Sequence, residues 1–234
     1  MSDVRFTHIG GPTVLIEVAG WRILTDPTFD PPGRRYFFGW GTMSRKLAGP
    51  SIAPADLGPI DAILVSHHHH ADNLDPAGVA LLPSAGTVLT TSKAARTLGH
   101  GALPMAPWDT HTLESPGRTP VTITATPCRH GPAGSEPITG PVIGFALRWD
   151  GQEHGQLWMT GDTVLYPGLR YSMDAREAVG LLDLVAPTHV VPVHYEGWSH
   201  FSQGRRDAEQ VLASSAHAGR VRWLDLGEAA TITV

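Results

Sequence analysis

The chain has little cysteine and no excess of positive charge. A single cysteine, Cys128, among 234 residues excludes an internal disulfide. Lysine and arginine (17) are outnumbered by aspartate and glutamate (22), which gives a formal net charge of −5 with histidine neutral. Proteins that bind long nucleic acid usually carry a basic stripe, and we find none here. The composition therefore argues against nucleic acid as a partner.

Long apolar segments are also missing. No run approaches the roughly 18 apolar residues of a membrane-spanning helix, so we expect no membrane span. The opening residues, MSDVRFTHIGG, lack the basic and apolar regions of a secretory signal. Together with the lone cysteine, these absences predict a cytoplasmic protein.

Glycine (26) and proline (20) are abundant, and hydrophobic residues make up 41% of the chain. These values are typical of a folded domain with many turns and shaped loops. A length of 234 residues suits one large domain or two small ones. The oligomeric state, a homo-oligomer included, stays open at this stage.

Short segments rich in β-branched residues dominate both halves of the chain. They predict strands over residues 4–10, 13–20, 21–26, 62–66, 87–91, 121–127, 141–150, 155–163 and 220–234, and a strand-turn-strand or a buried strand over residues 181–195. Helices are predicted over residues 77–83, 92–99 and 204–219, and residues 26–41 are predicted to form a loop. The order of these elements favours two packed sheets with helices outside, an α/β (α+β) fold.

Histidine is the outlier, with 13 residues, several of them next to aspartate, glycine or proline. Four such islands each follow a predicted strand: HHHHADNLD (67–75), CRHGP (128–132), TGDT (160–163) and PVHYEGWSH (192–200). Imidazole nitrogen and carboxylate oxygen are the ligands of zinc and similar divalent ions. Strand ends on one rim of a sheet sandwich converge in space, so the islands predict a metal site.

The four islands, in this order, resemble the metallo-β-lactamase superfamily. The opening THIGGPTVLIEVAGWRILTDPTF (7–29) is similar to the branch that contains the ascorbate-phosphate lactonases and the N-acyl-phosphatidylethanolamine phospholipase D-like hydrolases. The resemblance covers essentially the whole chain. It implies a single domain over residues 1–234 with a four-layer αββα sandwich.

The resemblance also implies a ligand set. His130 matches the family's third histidine, Asp162 the aspartate that bridges two metals, His194 the final histidine and Asp72 the aspartate of the histidine loop. The next position, normally histidine, is Asn73. Because asparagine is a weak neutral ligand, this departure implies a weaker second metal site, a one-metal enzyme or a harder ion such as Mn²⁺.

The histidine loop is one residue longer than the family's common form. Counting forward from the preceding strand selects His67 and His69, whereas counting back from Asp72 selects His68 and His70. An inserted residue between the first and last ligand would instead pair His67 with His70. Alternate residues of an extended segment face opposite ways, so the four imidazoles cannot all bind one ion. We favour His70, then His67 or His68, with His69 last.

Other residues are candidates for positioning ligands or touching substrate: His8, Asp26, Asn73, Tyr195 and His200. Asp26 would accept the second N–H of a ligand histidine. The aromatic residues of the long loop either cover the site as an apolar lid or anchor that loop to the core: Tyr36, Phe37, Phe38 and Trp40. The remaining histidines are interpreted as surface or structural residues: His100, His111, His154, His189 and His217.

These features predict metal-dependent hydrolysis of a small ester, lactone or phosphate ester. A zinc-type ion, one or two, with Mn²⁺ or Fe as alternatives, lowers the pKa of a bound water from about 15.7 to near neutrality. Asp72 would orient that water or accept its proton, and Asp162 would hold the metal. A degenerate relative that binds a ligand or partner without turnover is the alternative. A redox or di-iron sensor is a second alternative. Such a sensor would need a flavin domain or a further partner module, for which 234 residues leave no room.

Overall fold

The computed structural model describes residues 2–39, 41–99, 101–132, 134–165 and 171–234. The strands are β1 (Asp3–Gly10), β2 (Thr13–Val18), β3 (Trp21–Thr25), β4 (Arg35–Gly39), β5 (Thr42–Arg45), β6 (Ala62–Val65), β7 (Thr87–Thr91), β8 (Leu103–Met105), β9 (Thr110–Leu113), β10 (Val121–Pro127), β11 (Ile143–Trp149), β12 (Leu157–Met159) and β13 (Ala229–Thr233). The α-helices are α1 (Pro76–Leu81), α2 (Ser92–Leu98), α3 (Glu136–Thr139), α4 (Ala175–Val185) and α5 (Arg205–Ala213). Single 3₁₀ turns cover Pro54–Asp56, Leu82–Ser84 and Ala218–Arg220.

The strands form two large sheets and a hairpin. One sheet has the order β13-β1-β2-β3-β6-β7-β8, with β3, β6, β7 and β8 parallel and the other pairs antiparallel. The second sheet, β12-β11-β10-β9, is antiparallel throughout, and β4 and β5 form a separate two-stranded hairpin. Ala19 and Gly20 join β2 to β3 with φ values of 51° and 81°, the left-handed backbone of a type I′ hairpin turn.

The core follows from the alternation of side chains along the strands of the seven-stranded sheet. Ile16 and Leu64 point to one face, where they pack with Ile123 and Phe145 of the second sheet. The neighbouring residues point to the other face and pack with α1 and its flanking loops: Leu15, Leu24, Ile63 and Val65. The predicted mixed α/β fold with packed sheets is therefore confirmed.

The prediction of a loop over residues 26–41 was wrong for its last part. Residues Arg35–Gly39 form β4, which pairs with β5 through contacts such as Tyr36 opposite Ser44. Gly39 and Gly41 take φ values of 94° and 76°, which permit the tight reversal between the strands. The glycines that suggested a loop are thus part of the turn, while Tyr36 lies on the buried face of the hairpin and Phe37 on its exposed face.

The predicted strand over residues 181–195 was also wrong. Its first part belongs to α4, which begins at Asp174 with a capping box to Glu177 and ends at the left-handed Ala186 before Pro187. The Asp-x-x-Glu signal lay upstream of the apolar run on which the strand prediction was based. In the described remainder of this segment, the pairing is an isolated bridge between Val190 and Val221.

Other element boundaries differ more modestly. The strands predicted over residues 155–163 and 220–234 shrink to β12 and β13, and the predicted helix over residues 204–219 ends at Ala213. The short elements β8, β9 and α3 were not predicted. Trp40 and His100 lie outside the described residues. No described helix combines the length and the hydrophobicity that crossing a membrane requires.

Candidate metal centre

The two sheets bring the four islands to one rim. Strands β10 and β12 both run antiparallel to β11 and end beside its first residues, so the loops that carry His130 and Asp162 leave the sheet at the same edge. The backbone N–H of Ile143 at the start of β11 donates to the carbonyl of Ser66, which joins this edge to the end of β6. His194 is held to the same rim because its N–H donates to the carbonyl of Gly11.

Six predicted ligands fall into two groups. The donor atoms of His67, His70 and His130 lie within 4.8 Å of one another, and the donor atoms of a second set of three residues meet the same limit. We call the first set the three-histidine group. The second, the carboxylate group, consists of Asp72, Asp162 and His194.

The three-histidine group is buried and its rings are held by outer contacts. His130 Nε2 lies 3.2 Å from His70 Nδ1, while His130 Nδ1 lies 2.7 Å from the carbonyl oxygen of Tyr171. His67 Nδ1 lies 3.0 Å from Ser66 Oγ. Burial lowers the pKa of His70 and holds the pKa of His67 well below its usual range. Neutral imidazoles with fixed orientation are what a divalent ion requires.

The carboxylate group concentrates negative charge around one imidazole. His194 Nδ1 lies 2.9 Å from Asp162 Oδ1, and its Nε2 lies 3.6 Å from Asp72 Oδ2. Burial opposes the imidazolium, but the charges of Asp162 and Asp72 outweigh it and raise the pKa of His194 to about 10. Burial alone would raise the pKa values of both aspartates, yet the neighbouring imidazoles lower them. The two carboxylates therefore stay charged and attract a cation.

A separate observation also indicates that these residues fit a divalent metal. Asp72 Oδ1 and His194 Nε2 are buried, and no described residue gives either atom a hydrogen bond. Buried polar atoms without partners are rare and cost free energy. Both residues belong to a group of oxygen and nitrogen donors of the kind that zinc, manganese or iron accepts. A cation among them would satisfy both.

Asn73 lies between the two groups. Its side-chain N–H donates to Asp162 Oδ2 at 3.2 Å, and the same nitrogen lies 3.5 Å from His67 Nε2. His200 instead approaches the carboxylate group, with Nε2 3.2 Å from Asp72 Oδ2. Asn73 thus contacts the three-histidine group and Asp162, whereas His200 contacts Asp72.

Three other candidates act through the backbone or through packing. Asp26 Oδ1 accepts a hydrogen bond from the N–H of Ser66 at 2.6 Å, so it holds the residue before His67 and not a ligand ring. His8 Nε2 lies 2.9 Å from the carbonyl of Gly11, the same carbonyl that accepts from His194 N–H. Tyr195 packs edge-on against His8 with ring centroids 6.1 Å apart.

His68 and His69 belong to neither group of donor atoms among the described residues. Their rings are tilted against each other, with centroids 4.2 Å apart and an interplanar angle of 56°. The His69 ring lies directly over Gly140, where an added Cβ would stand 2.0 Å from its Cε1 atom. The structure thus brings His67 and His70 to His130, the pairing expected from an inserted residue in the loop.

The hairpin of β4 and β5 covers this rim. Phe38 stacks on His70 with ring centroids 5.0 Å apart and an interplanar angle of 22°. The same ring meets His200 edge-on at 5.2 Å. Tyr36 is buried against Trp198, whereas Phe37 is 65% exposed. One aromatic side chain of the hairpin therefore walls the site, and another anchors the hairpin to the core.

Sequence reasoning missed the residues that anchor the histidine loop. Asp75 caps α1 and also accepts hydrogen bonds from the N–H groups of Phe29 and Asp30 and from Lys46 Nζ. The Asp75-Pro76 pair that precedes α1 was the available signal, because aspartate before proline is typical of a helix start. Ser44, which lies 2.6 Å from His200 Nδ1, gave no signal in the sequence.

Comparison with known proteins defines the class. The model of the family described as "Beta-lactamase superfamily domain" matches residues 21–218, and the chain belongs to this family within the metallo-β-lactamase superfamily. Among curated relatives, a UPF0173 metal-dependent hydrolase of Opitutus terrae is 28% identical, covering 96% of this chain and 98% of its own length. One from Carboxydothermus hydrogenoformans is 26% identical, covering 83% of this chain and 86% of its own.

Solved structures share the fold at low sequence identity. A possible metal-dependent hydrolase from Veillonella parvula superposes with a TM-score of 0.79 at 17% identity, over 97% of this chain and 99% of that one. An isothiocyanate hydrolase from Delia radicum gut bacteria gives a TM-score of 0.78 at 18% identity, over 97% and 98%. These similarities establish the fold that carries the three-histidine group and the carboxylate group.

Proposed function

We propose that this protein is a metal-dependent hydrolase and that the three-histidine group and the carboxylate group together form its metal centre. The observation that carries the proposal is the meeting of both groups across Asp162, whose two oxygens lie 2.9 Å from His194 Nδ1 and 3.9 Å from His130 Nε2. The family and the names of its curated relatives support the same class. Zinc is the proposed ion, since imidazole and carboxylate are its usual ligands.

Each group has a separate task in the proposed reaction. When bound, a divalent ion lowers the pKa of a coordinated water toward neutrality and so supplies hydroxide at physiological pH. The imidazoles of His67, His70 and His130 would hold the ion, and Asp162 would join the two groups. Asp72 Oδ1, which has no described hydrogen-bond partner, is placed to orient the attacking water or accept its proton.

A cavity of about 530 Å³ beside His130 is the proposed substrate pocket. Its wall carries three cationic side chains, Lys93, Arg96 and Arg129, against one acidic side chain, Glu136. Positive charge beside a metal attracts substrates that bear negative charge. Of the small ester, lactone and phosphate ester classes, this wall favours a phosphate ester or an ester or lactone that also bears a carboxylate. A second cavity, beside Trp108 and His111, has none of the proposed ligands in its described lining.

Replacing His130 by alanine tests the metal centre directly. Contacts that merely orient a metal ligand are worth about 10- to 100-fold in metal affinity or activity, so the loss of a ligand should exceed 100-fold. We expect His130→Ala to lose metal in elemental analysis and to lose turnover of bis-p-nitrophenyl phosphate and of an anionic lactone together. His111→Ala is the matched control, because His111 lies on β9 away from both groups.

The outcomes separate the proposed enzyme from a binding protein. Metal with turnover that disappears in His130→Ala supports the hydrolase. Metal without turnover across a broad panel of esters, lactones and phosphate esters favours a family member that binds a ligand or partner, an alternative that Asn73 supports. A protein without metal after careful purification contradicts both. The cytoplasmic location and a homo-oligomeric state remain predictions, which localisation of a tagged chain and ultracentrifugation would test.

A further inference from the structure

We propose that His200 completes a second metal site with Asp72 and His194, in place of an imidazole at position 73. The inference rests on the proposed function only in treating the two groups as a metal centre. It concerns a residue that lies outside both groups of mutually close donors. The second ion would share Asp162 with the ion of the three-histidine group.

Asn73 supplies no nitrogen ligand to the second site. Its side-chain nitrogen carries only N–H donors, and it faces Asp162 and His67 at 3.2 and 3.5 Å. The side chain is 1% exposed and makes both contacts inside the site. Asn73 therefore donates a hydrogen bond to the Asp162 carboxylate. A second ion in the carboxylate group would take its additional nitrogen ligand from another residue.

His200 stands where that donor is needed. Its Nε2 lies 3.2 Å from Asp72 Oδ2, and His194 Nε2 lies 3.6 Å from the same oxygen. Two ligand atoms of one tetrahedral ion are separated by about 3.4 Å when each lies ~2.1 Å from the metal. Both separations, measured to the same Asp72 oxygen, are close to this value. Without a cation, Asp72 Oδ1 and His194 Nε2 stay buried and without a described partner.

The ring of His200 is held from its far side. Ser44, which is 2% exposed, places Oγ 2.6 Å from His200 Nδ1. If Nδ1 donates to this hydroxyl, the lone pair of Nε2 points toward Asp72. Metal-bound histidines commonly make such a contact through the second ring nitrogen, which fixes both tautomer and orientation.

The backbone around His200 is fixed in the same way. The segment before it pairs with the end of β5: Ser199 N–H donates to the Arg45 carbonyl at 2.9 Å, and Ser199 Oγ accepts from Arg45 N–H at 2.9 Å. Phe38 and Phe201 flank the imidazole with ring centroids at 5.2 and 4.4 Å. The position of His200 is thus set by the hairpin and by these two rings, while its side chain keeps 32% of its surface exposed.

The test compares metal content in three variants of the full chain. Metal-free protein is titrated with Zn²⁺ in a calorimeter and with Co²⁺ by visible absorption. We expect the native chain to bind two ions. His200→Gln keeps a side-chain donor for Asp72 but is a poor ligand, and it should keep one ion while the affinity for the second falls more than about 100-fold. Adding Asn73→His to that variant should restore the second ion, whereas the exposed control His154→Ala should bind both.

The outcomes distinguish this inference from the proposed function. One ion in the native chain, or two ions with a loss smaller than 100-fold in His200→Gln, overturns the role of His200 and leaves the proposed hydrolase intact. No ion in the native chain overturns both. If His200→Gln fails to fold by circular dichroism, anomalous diffraction from a Zn²⁺-loaded crystal of the native chain decides. An anomalous peak within ligand distance of His200 Nε2 supports the inference. Anomalous peaks elsewhere in the centre, with none within ligand distance of His200 Nε2, overturn it.

Discussion

At the scale of single residues, the histidine loop depends on a buried ion pair. Lys46 Nζ lies 2.7 Å from Asp75 Oδ2, and the two side chains are 3% and 0% exposed. Asp75 also accepts three backbone N–H groups, so its charge is tied to the start of α1 and to the loop after β3. Removing one partner of such a pair leaves an uncompensated buried charge.

Lys46→Met should therefore lower the free energy of unfolding by about 3–5 kcal/mol. Urea unfolding followed by tryptophan fluorescence measures the change. The exposed Lys93→Met is the control and should stay within about 0.5 kcal/mol of the native chain. A loss below 1 kcal/mol for Lys46→Met would mean that water reaches Asp75 and that the pair is not buried in solution.

Asp26, also a single residue, makes the stability of the folded chain depend on pH. Burial raises the pKa of its carboxyl to about 7. An acid whose pKa is higher in the folded chain than in the unfolded chain binds more protons when folded, so its contribution to stability is lost as pH rises toward 7. The contribution of Asp26 to the stability of the metal-free protein should fall between pH 5 and 7 by up to about 1.4 kcal/mol per unit and change no further above pH 7. Asp26→Asn, which keeps an oxygen for Ser66 N–H, should remove this component, so that the difference in unfolding free energy between the native chain and the variant changes with pH in urea unfolding. A difference that is constant from pH 5 to 7 would refute the assignment.

At the scale of elements, strands with clear alternation were predictable and contacts across space were not. Residues 13–20 and 121–127 carry β-branched runs, and both contain strands that the structure confirms. The hairpin of β4 and β5 was hidden because its strands are short and its buried residue Tyr36 packs against Trp198, far along the chain. Helix α4 was missed because its cap, Asp174, lies upstream of the apolar run that attracted a strand prediction.

Helix α1 makes the closest described approach of an added Cβ to backbone. At Gly78 that Cβ would lie 1.9 Å from the carbonyl oxygen of Pro27, so only glycine fits where α1 meets the loop after β3. Gly78→Ala should destabilise the chain by about 1–3 kcal/mol or more, because the helix must move away from that loop. Thermal unfolding measures it, with Gly219→Ala as control, where no atom lies within 4 Å. Equal melting temperatures would contradict the packing.

At the scale of the whole molecule, the order of the four islands indicated the superfamily, because a ligand set scattered along a chain converges only in a particular fold. The pairing of His67 with His70 stayed open, since it depends on how an extra residue is accommodated in three dimensions. The position of His200 beside Asp72 depends on β5 and Ser44, which no local pattern links to it. Long-range contacts of this kind limit what the sequence alone predicts.

The metal centre is tested most directly by anomalous diffraction at the zinc edge from crystals of the protein as purified. The account predicts a strong peak among the rings of His67, His70 and His130, within about 2.0–2.1 Å of the ring nitrogens. Asp162 should lie beside that peak and face a second peak near His194. A map without a peak among the three imidazoles, with metal bound elsewhere or not at all, would contradict the account.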